Sequence, residues 1–401
     1  MSQQKSKSKP KKIFWKRYLS SKYVGFDLDH TISKYHKLKL SILSTKCYTK
    51  YLVNEKGYPD KVLKFAFDPK ICVKGNLVDI EKGNLLKVDS EKKICKVLHG
   101  DKIFNESEIA KEYGENLILD GFEGFSNKKY LVIGTYFEIG AGYCFNRLVL
   151  MSEKGGLKPK KTNQEIYNDL IESLIYTYRV YEQGDFYPSV SQDLPGIFDD
   201  NTKDLKKLFQ LLRKDNKKIF LLTNSIFGYV NLTLDYLLGS NWQEYFDLIL
   251  MYAKKPVFFQ SGSQTPFIDV KTQKECSLKI RYPLQNGNVK DLMKFLDLEQ
   301  NNEIIYFGDH PIGDVREAKN HVNWTTVSVI EELDIYNNEQ SDNYSESIEK
   351  RKQIWGDYLF CNKKPSYWGS ILNQFSDYQT ASLSHFLIDL QKFQKFGALD
   401  N

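Results

Sequence analysis

No run of about 18 consecutive apolar residues, the length a helix needs to cross a bilayer, occurs in this chain. Mean hydropathy is -0.48, so a membrane span is not expected. The longest apolar stretches, such as Leu248-Ile249-Leu250-Met251-Tyr252, have the length of buried strands. Cysteine is sparse. The six residues Cys47, Cys72, Cys95, Cys144, Cys276 and Cys361 are widely scattered, with no CxxC spacing and no Cys/His cluster, which disfavours a zinc module. Reduced thiols in a cytosolic or nuclear protein are the expectation. Internal repeats are absent.

The chain also lacks the excess charge that its net value of +6 suggests. Lys5, Lys7, Lys9, Lys11, Lys12, Lys16 and Arg17 all fall in the first 17 residues; taking these seven from 57 basic residues leaves 50 against 51 acidic ones. The body therefore offers no nucleic-acid-binding face by charge. The stretch SKSKPKK is Ser-, Lys- and Pro-rich and is expected to be a disordered, solubilising tail, with nuclear import as the sharper alternative. It has no apolar core of the kind a secretory signal carries.

What is present is 401 residues with 41% hydrophobic and 14% aromatic content, enough for a large core and a second module. Five apolar runs stand out: Lys22–Leu28, Lys218–Asn224, Leu248–Lys254, Glu303–Asp309 and Thr325–Ile330. Helix-period faces lie between the later runs, one from Leu205, Leu208, Phe209, Leu211 and Leu212, another from Val289, Leu292, Met293 and Leu296. This alternation predicts an α/β fold, a mostly parallel sheet with helices on both faces. Roughly 190 residues separate the first run from the second, too many for one crossover, so an inserted module is expected. It reads as a helix over Leu40–Glu55 closed by Gly57, then strands with turns at Glu81–Asn84 and Ser90–Lys92, then a helical region through Glu165–Tyr181. A loop is expected at Asn338–Ser347, and a last helix carrying Leu387, Leu390 and Phe393.

In such sheets ligands bind at the carboxyl ends of the strands. The first run ends in Asp27-Leu28-Asp29, and residues two apart on a strand face the same side. The second ends in Thr223-Asn224-Ser225, a hydroxyl and backbone N–H groups ahead of a helix start, a setting that suits a phosphate oxygen. The third ends in Lys254-Lys255-Pro256, and the fourth in Gly308-Asp309-His310-Pro311-Ile312-Gly313-Asp314. Four Asp, a Lys and a Thr at one sheet edge suit Mg²⁺, a hard cation that takes oxygen ligands and relieves the repulsion between Asp27 and Asp29.

This set resembles the haloacid dehalogenase (HAD) superfamily, whose motifs are DxDx[TV], a Ser/Thr, a Lys and a paired-Asp loop. DLDHT, FLLTNS, KKPVFF and YFGDHPIGD, with KGNLVDIEKGNLLKVD, the HG pair and NWTTVSVIEEL, look like the cytosolic purine 5'-nucleotidase and 5'-nucleotidase domain-containing family over roughly residues 22–335. The resemblance implies a HAD-type Rossmann-like core, residues 18–39 and 186–401, carrying an inserted α/β cap, residues 40–185, behind a basic tail of residues 1–17. It implies Mg²⁺-dependent hydrolysis of a phosphomonoester, with a nucleoside 5'-monophosphate the leading substrate. Asp27 matches the nucleophile and Asp29 the general acid and base. Thr223 and the Asn224 N–H match the phosphate grip, and Lys255, rather than Lys254, the stabilising lysine. Asp309 matches the metal carboxylate, beside Asp27 and the Asp29 backbone carbonyl, and Asp314 the residue that orients metal waters or the lysine. His30, His310 and His99 are read as loop-shaping residues, since Mg²⁺ prefers oxygen.

In the cap, Phe137 matches the aromatic residue that stacks on the base, and Asp169 an acid on the following helix. No arginine stands where the family's base-recognition arginine is expected, and the acidic C-terminal tail of the nucleotidase is absent, so its triphosphate regulation is not implied. The alternatives are a non-nucleotide phosphomonoester, phosphotransfer to an alcohol, or a low-activity regulatory protein that keeps the fold. With no secretion signal, a cytoplasmic location is expected, with nuclear entry through the basic tail as the alternative, and a homo-oligomer is left open.

Overall fold

A computed structural model of the chain describes residues 8–179, 184–298, 303–337 and 354–396. It divides into two compact units. The first draws on Met1–Tyr35, Phe198–Asn338 and Ile371–Asn401, the second on His36–Ile197 and Glu339–Ser370.

The first unit is built on an eight-stranded sheet. Its strands in chain order are β1 (Tyr23–Phe26), β2 (Lys218–Leu222), β3 (Leu248–Met251), β4 (Phe267–Asp269), β5 (Pro283–Asn286), β6 (Ile304–Gly308), β7 (Thr325–Val329) and β8 (Tyr378–Thr380). They lie in the order β8-β7-β6-β1-β2-β3-β5-β4. All neighbours run parallel except β4, which pairs antiparallel with β5 at the edge. All five expected apolar runs are strands. They read as unbroken apolar stretches because both faces of a parallel sheet are covered. Along β2, Ile219 and Leu221 enter one core, with the helices Thr202–Lys214, Phe227–Leu238 and Leu383–Phe396; Phe220 and Leu222 enter the other, with Val289–Leu296 and Glu317–Val322. Strands β4, β5 and β8 escape the sequence reading because FID, PLQN and YQT are only three or four residues long.

The amino-terminal segment corrects an expectation. Ser8–Ser20 is a helix, and Phe14, Trp15 and Tyr18 are buried. Trp15 stacks on Phe393 with ring centroids 4.4 Å apart, and Phe14 packs on Tyr378 at 4.6 Å. The cations masked an apolar face whose area outweighs them. Lys217 closes the helix end by donating to the carbonyls of Tyr18 and Ser21, each at 2.6 Å.

In the second unit the helix Lys37–Lys56 stops at Gly57, which takes the left-handed φ of 68° that glycine adopts without steric cost. The helix packs on Tyr136–Glu153 and Asn163–Arg179. Five antiparallel strands form a sheet in the order 102–103, 94–99, 84–88, 77–79, 130–132. The observed boundaries differ from the expected 40–185. Lys37–Lys56 belongs wholly here, the short helices Phe186–Gln192 and Leu194–Ile197 pack on it, and residues from the far end of the chain return to this unit. Lys87 holds that return, donating to the carbonyls of Trp355 (2.6 Å), Asp357 (2.5 Å) and Phe360 (2.8 Å). Trp368 donates to the Gly75 carbonyl at 2.7 Å. The same return brings Cys361 to Cys95, 266 residues away in sequence, and the two form a disulfide where free thiols were expected. The loop expected at 338–347 lies outside the described residues. Among the described residues no helix is long and apolar enough to cross a membrane.

Candidate active site

Strands β6, β1, β2 and β3 are consecutive in the sheet, so their carboxyl ends form one edge of the first unit. Asp27 sits one residue beyond β1, its N–H still bonded to the Phe307 carbonyl at 2.9 Å. Leu28 turns into the core, which leaves the two flanking carboxylates on the opposite side. The chain then reverses. His30 takes a positive φ of 58°, and both the N–H and hydroxyl of Ser33 donate to the Leu28 carbonyl, at 2.9 and 3.0 Å.

Lys255 is the centre of the site. It is buried, and its ammonium lies 2.9 Å from Asp27 Oδ1, 2.6 Å from Asp314 Oδ1, 2.8 Å from the Tyr306 hydroxyl and 3.1 Å from the Leu222 carbonyl. Lys254 is exposed, with its ammonium over the Tyr252 ring at 5.0 Å, so the structure separates the two neighbours that sequence alone left adjacent. Asp314 is held on its other oxygen by the His310 N–H at 3.1 Å. It arrives through the wide helical turn Pro311–Arg316, and it packs so closely on Gly308 that a Cβ there would lie 2.3 Å from that of Asp314. Glycine at position 308 is a requirement of this approach. His310 accepts from the N–H groups of Ile312 and Gly313, at 3.2 and 3.0 Å, and so caps the turn.

Asp27, Asp309 and Asp314 are all buried, and each offers a carboxylate oxygen within 4.8 Å of the others. Lys255 pairs with Asp27 and Asp314, and Asp309 brings a third carboxylate to the same cluster. Burial, ahead of all other causes, pushes the Asp27 carboxyl up to about 7; the Lys255 charge opposes this, and Asp314 and Asp29 add to it. For Lys255, burial pulls downward, but Asp27 and Asp314 outweigh it and its pKa ends above the ordinary lysine range. A buried set of three hard-oxygen donors fits Mg²⁺.

Asp29 is separate from this trio. Its Oδ1 accepts from the Tyr35 hydroxyl at 2.5 Å, and its Oδ2 from the Ser225 hydroxyl. Thr223 is buried and accepts from the Ser225 N–H at 3.1 Å. The Asn224 side chain reaches the backbone of Lys255, which the sequence reading did not foresee. Tyr35 and Tyr306 were also missed, because an isolated Tyr beside apolar residues carries no local signal of its partner, and Ser225, though part of the strand-end motif, was given no role of its own. His30 bonds Glu331 at 3.1 Å, and His99 bonds Asn84 and Glu153 at 2.7 and 3.0 Å; both are engaged within their own units.

The two residues assigned to base recognition lie in the second unit. Phe137 is half-buried, its ring edge-on to Tyr178 and Phe186, with centroids at 5.3 and 6.4 Å. Asp169 accepts from the Tyr58 hydroxyl at 2.9 Å and pairs with Lys161 at 2.8 Å, an arrangement that already has a structural purpose.

A parallel α/β sheet that gathers four carboxylates, a buried lysine and a threonine at adjacent strand ends has the parts of a phosphate-ester hydrolase. Residues 13–354 match the 5' nucleotidase family. The chain belongs to that family and is a phosphoric monoester hydrolase. It is 27% identical over 367 residues to human 5'-nucleotidase domain-containing protein 1, covering 86% of this chain and 80% of that one. The bovine protein of the same name is 27% identical over 329 residues, covering 77% and 72%. A solved structure described as a predicted phosphoglycolate phosphatase from Haemophilus somnus is alike at a TM-score of 0.39 and 12% identity, covering 93% of this chain and 99% of that one.

Proposed function

We propose that this chain hydrolyses a nucleoside 5'-monophosphate through a phosphoryl-aspartate formed on Asp27. The observation that carries the reading is the buried ammonium of Lys255 set between Asp27 and Asp314, with Asp309 beside them. In this reading Asp27 attacks phosphorus while Asp29 gives a proton to the leaving 5'-oxygen. Asp29 then takes a proton from the water that frees Asp27. Thr223 and the Asn224 N–H hold phosphate oxygens, and Lys255 offsets charge on the transferring group. Asp27, Asp309, the Asp29 carbonyl and, in its outer role, Asp314 are the groups that would hold Mg²⁺. When bound, that ion would supply the positive charge that lets an anionic nucleophile approach an anionic ester.

Phe137 is the proposed contact for the base. A non-nucleotide phosphomonoester is the second reading, favoured by the engagement of Asp169 with Lys161 and Tyr58. The experiment is a screen of the full chain with Mg²⁺ against nucleoside monophosphates and phosphosugars, beside Asp27→Asn. Nucleotide turnover lost in Asp27→Asn is the expected result. Faster turnover of phosphosugars would overturn the substrate while keeping the mechanism, and equal silence of both proteins would overturn the enzyme reading. Phe137→Ala should raise KM for a nucleotide and spare a small ester; equal loss on both would remove Phe137 from the base site.

A further inference from the structure

Asp29 is bracketed by hydroxyl groups, one on each carboxylate oxygen. The donor on Oδ1, Tyr35, is 1% exposed, and its ring is fixed between those of His30 and Phe198, with centroids at 4.7 and 4.8 Å. A second phenol stands behind it: the hydroxyl of buried Tyr229 lies 3.0 Å from that of Tyr35. The direction of this chain follows from donor inventory. A carboxylate only accepts, so the Tyr35 proton points to Asp29, and the Tyr35 oxygen accepts from Tyr229. The partner on Oδ2 differs. A serine hydroxyl can turn and serve as donor or acceptor, and Ser225 is only half-buried.

We infer that Tyr35, backed by Tyr229, is a positioning residue for proton transfer in the reaction proposed above. It pins Oδ1 and fixes the rotation of the Asp29 carboxyl, so that Oδ2, the oxygen shared with Ser225, is the one that exchanges a proton with the leaving group. As the bond from Asp27 to phosphorus forms, the bond from phosphorus to the leaving oxygen breaks and its electron pair stays on that oxygen. The proton on Oδ2 moves to it. In the second half, water bonds to phosphorus, the Asp27–phosphorus bond breaks, and the water proton returns to Oδ2. Tyr35 keeps its own proton throughout. The inference rests on the acid role of Asp29.

The test compares two esters in kcat/KM, which reports the first phosphoryl transfer alone. Nitrophenolate leaves p-nitrophenyl phosphate without needing a proton, whereas the 5'-alkoxide of a nucleoside monophosphate needs one. General acid catalysis contributes about 10²–10⁴-fold, so loosening the acid in Tyr35→Phe should cost the nucleotide about 10–100-fold and the nitrophenyl ester less than about 3-fold. Tyr229→Phe should show the same split at roughly 2–10-fold, and decides the matter if Tyr35→Phe fails to fold. Equal losses on both esters, or no loss on either, overturns the inference. Asp29→Asn run in parallel separates the two levels. If it shows the split and the tyrosine variants do not, only the inference fails; if it shows none, the acid role fails and the inference with it.

Discussion

Asn224 and Lys255 exchange two hydrogen bonds across the ends of neighbouring strands. Asn224 Nδ2 donates to the Lys255 carbonyl at 3.0 Å, and the Lys255 N–H donates to Asn224 Oδ1 at 2.7 Å. The residue whose N–H is assigned to the phosphate thus also fixes the backbone from which the Lys255 ammonium projects.

Asn224→Ala should therefore act on Lys255. A misplacement of about 1 Å in a positioned group costs up to about 10²-fold, and a kcat loss of about 10–100-fold is expected, with stability down by about 1–2 kcal/mol. Steady-state kinetics on p-nitrophenyl phosphate and a thermal melt measure both. A kcat within twofold of wild type would show that the clasp is dispensable.

Asp27 makes the metal-free protein pH-sensitive. Its pKa rises from 3.8 when unfolded to about 7 when folded, so the folded state binds the extra proton across that window. Stability is greatest below the lower value and declines as pH rises through the upper one, by an amount on the order of a few kcal/mol. Urea unfolding with a chelator at pH 5 to 8 should show the decline. Asp27→Asn should abolish turnover and flatten the slope; an unchanged slope would place the charge elsewhere.

Lys255→Met removes the ammonium that pairs with buried Asp27 and Asp314. Breaking a buried pair costs about 3–5 kcal/mol, so the metal-free melting temperature should fall. For the wild type, Mg²⁺ at a hundred times its Kd should add about 2.7 kcal/mol. The variant should gain more, because it lacks the cation that offsets Asp27 and Asp314. An Mg²⁺-induced shift smaller than that of wild type would argue that Lys255 helps to build the metal site.

Trp15→Ala should cost about 3–5 kcal/mol, since it empties the stack on Phe393. Ile13, 54% exposed on the same helix, should tolerate serine within about 0.5 kcal/mol. Chemical denaturation of the two variants tests whether the basic amino-terminal segment is part of the core. Equal behaviour would return it to the status of a tail.

The strand ends were legible because each apolar run stops at a residue whose chemistry has no reason to be in a core. Asp27, Thr223, Lys255 and Asp309 announce themselves in that way. Trp15 did not, because hydropathy averaged over its lysine neighbours hides a one-sided face. Tyr306 and Tyr35 read as ordinary core aromatics, and only their hydroxyl partners, 8 and 6 residues away along the chain, reveal otherwise. The return of residues 354–370 to the second unit was invisible for a different reason. Lys87 satisfies three carbonyls more than 260 residues later, and no local pattern encodes a partner at that range.

That return has a consequence for how the protein comes into being. By the time a ribosome has delivered Asp314, every residue assigned to the chemistry has been made. Yet Trp355, Tyr367 and Trp368 of one unit, and Tyr378, Phe386 and Phe393 of the other, are still to come. A nascent chain halted there would hold the full set of reactive parts and two open apolar interiors. A premature stop just after residue 353 should therefore yield an insoluble product, although it would spare every motif: the segment that carries no chemistry is the one that seals the molecule.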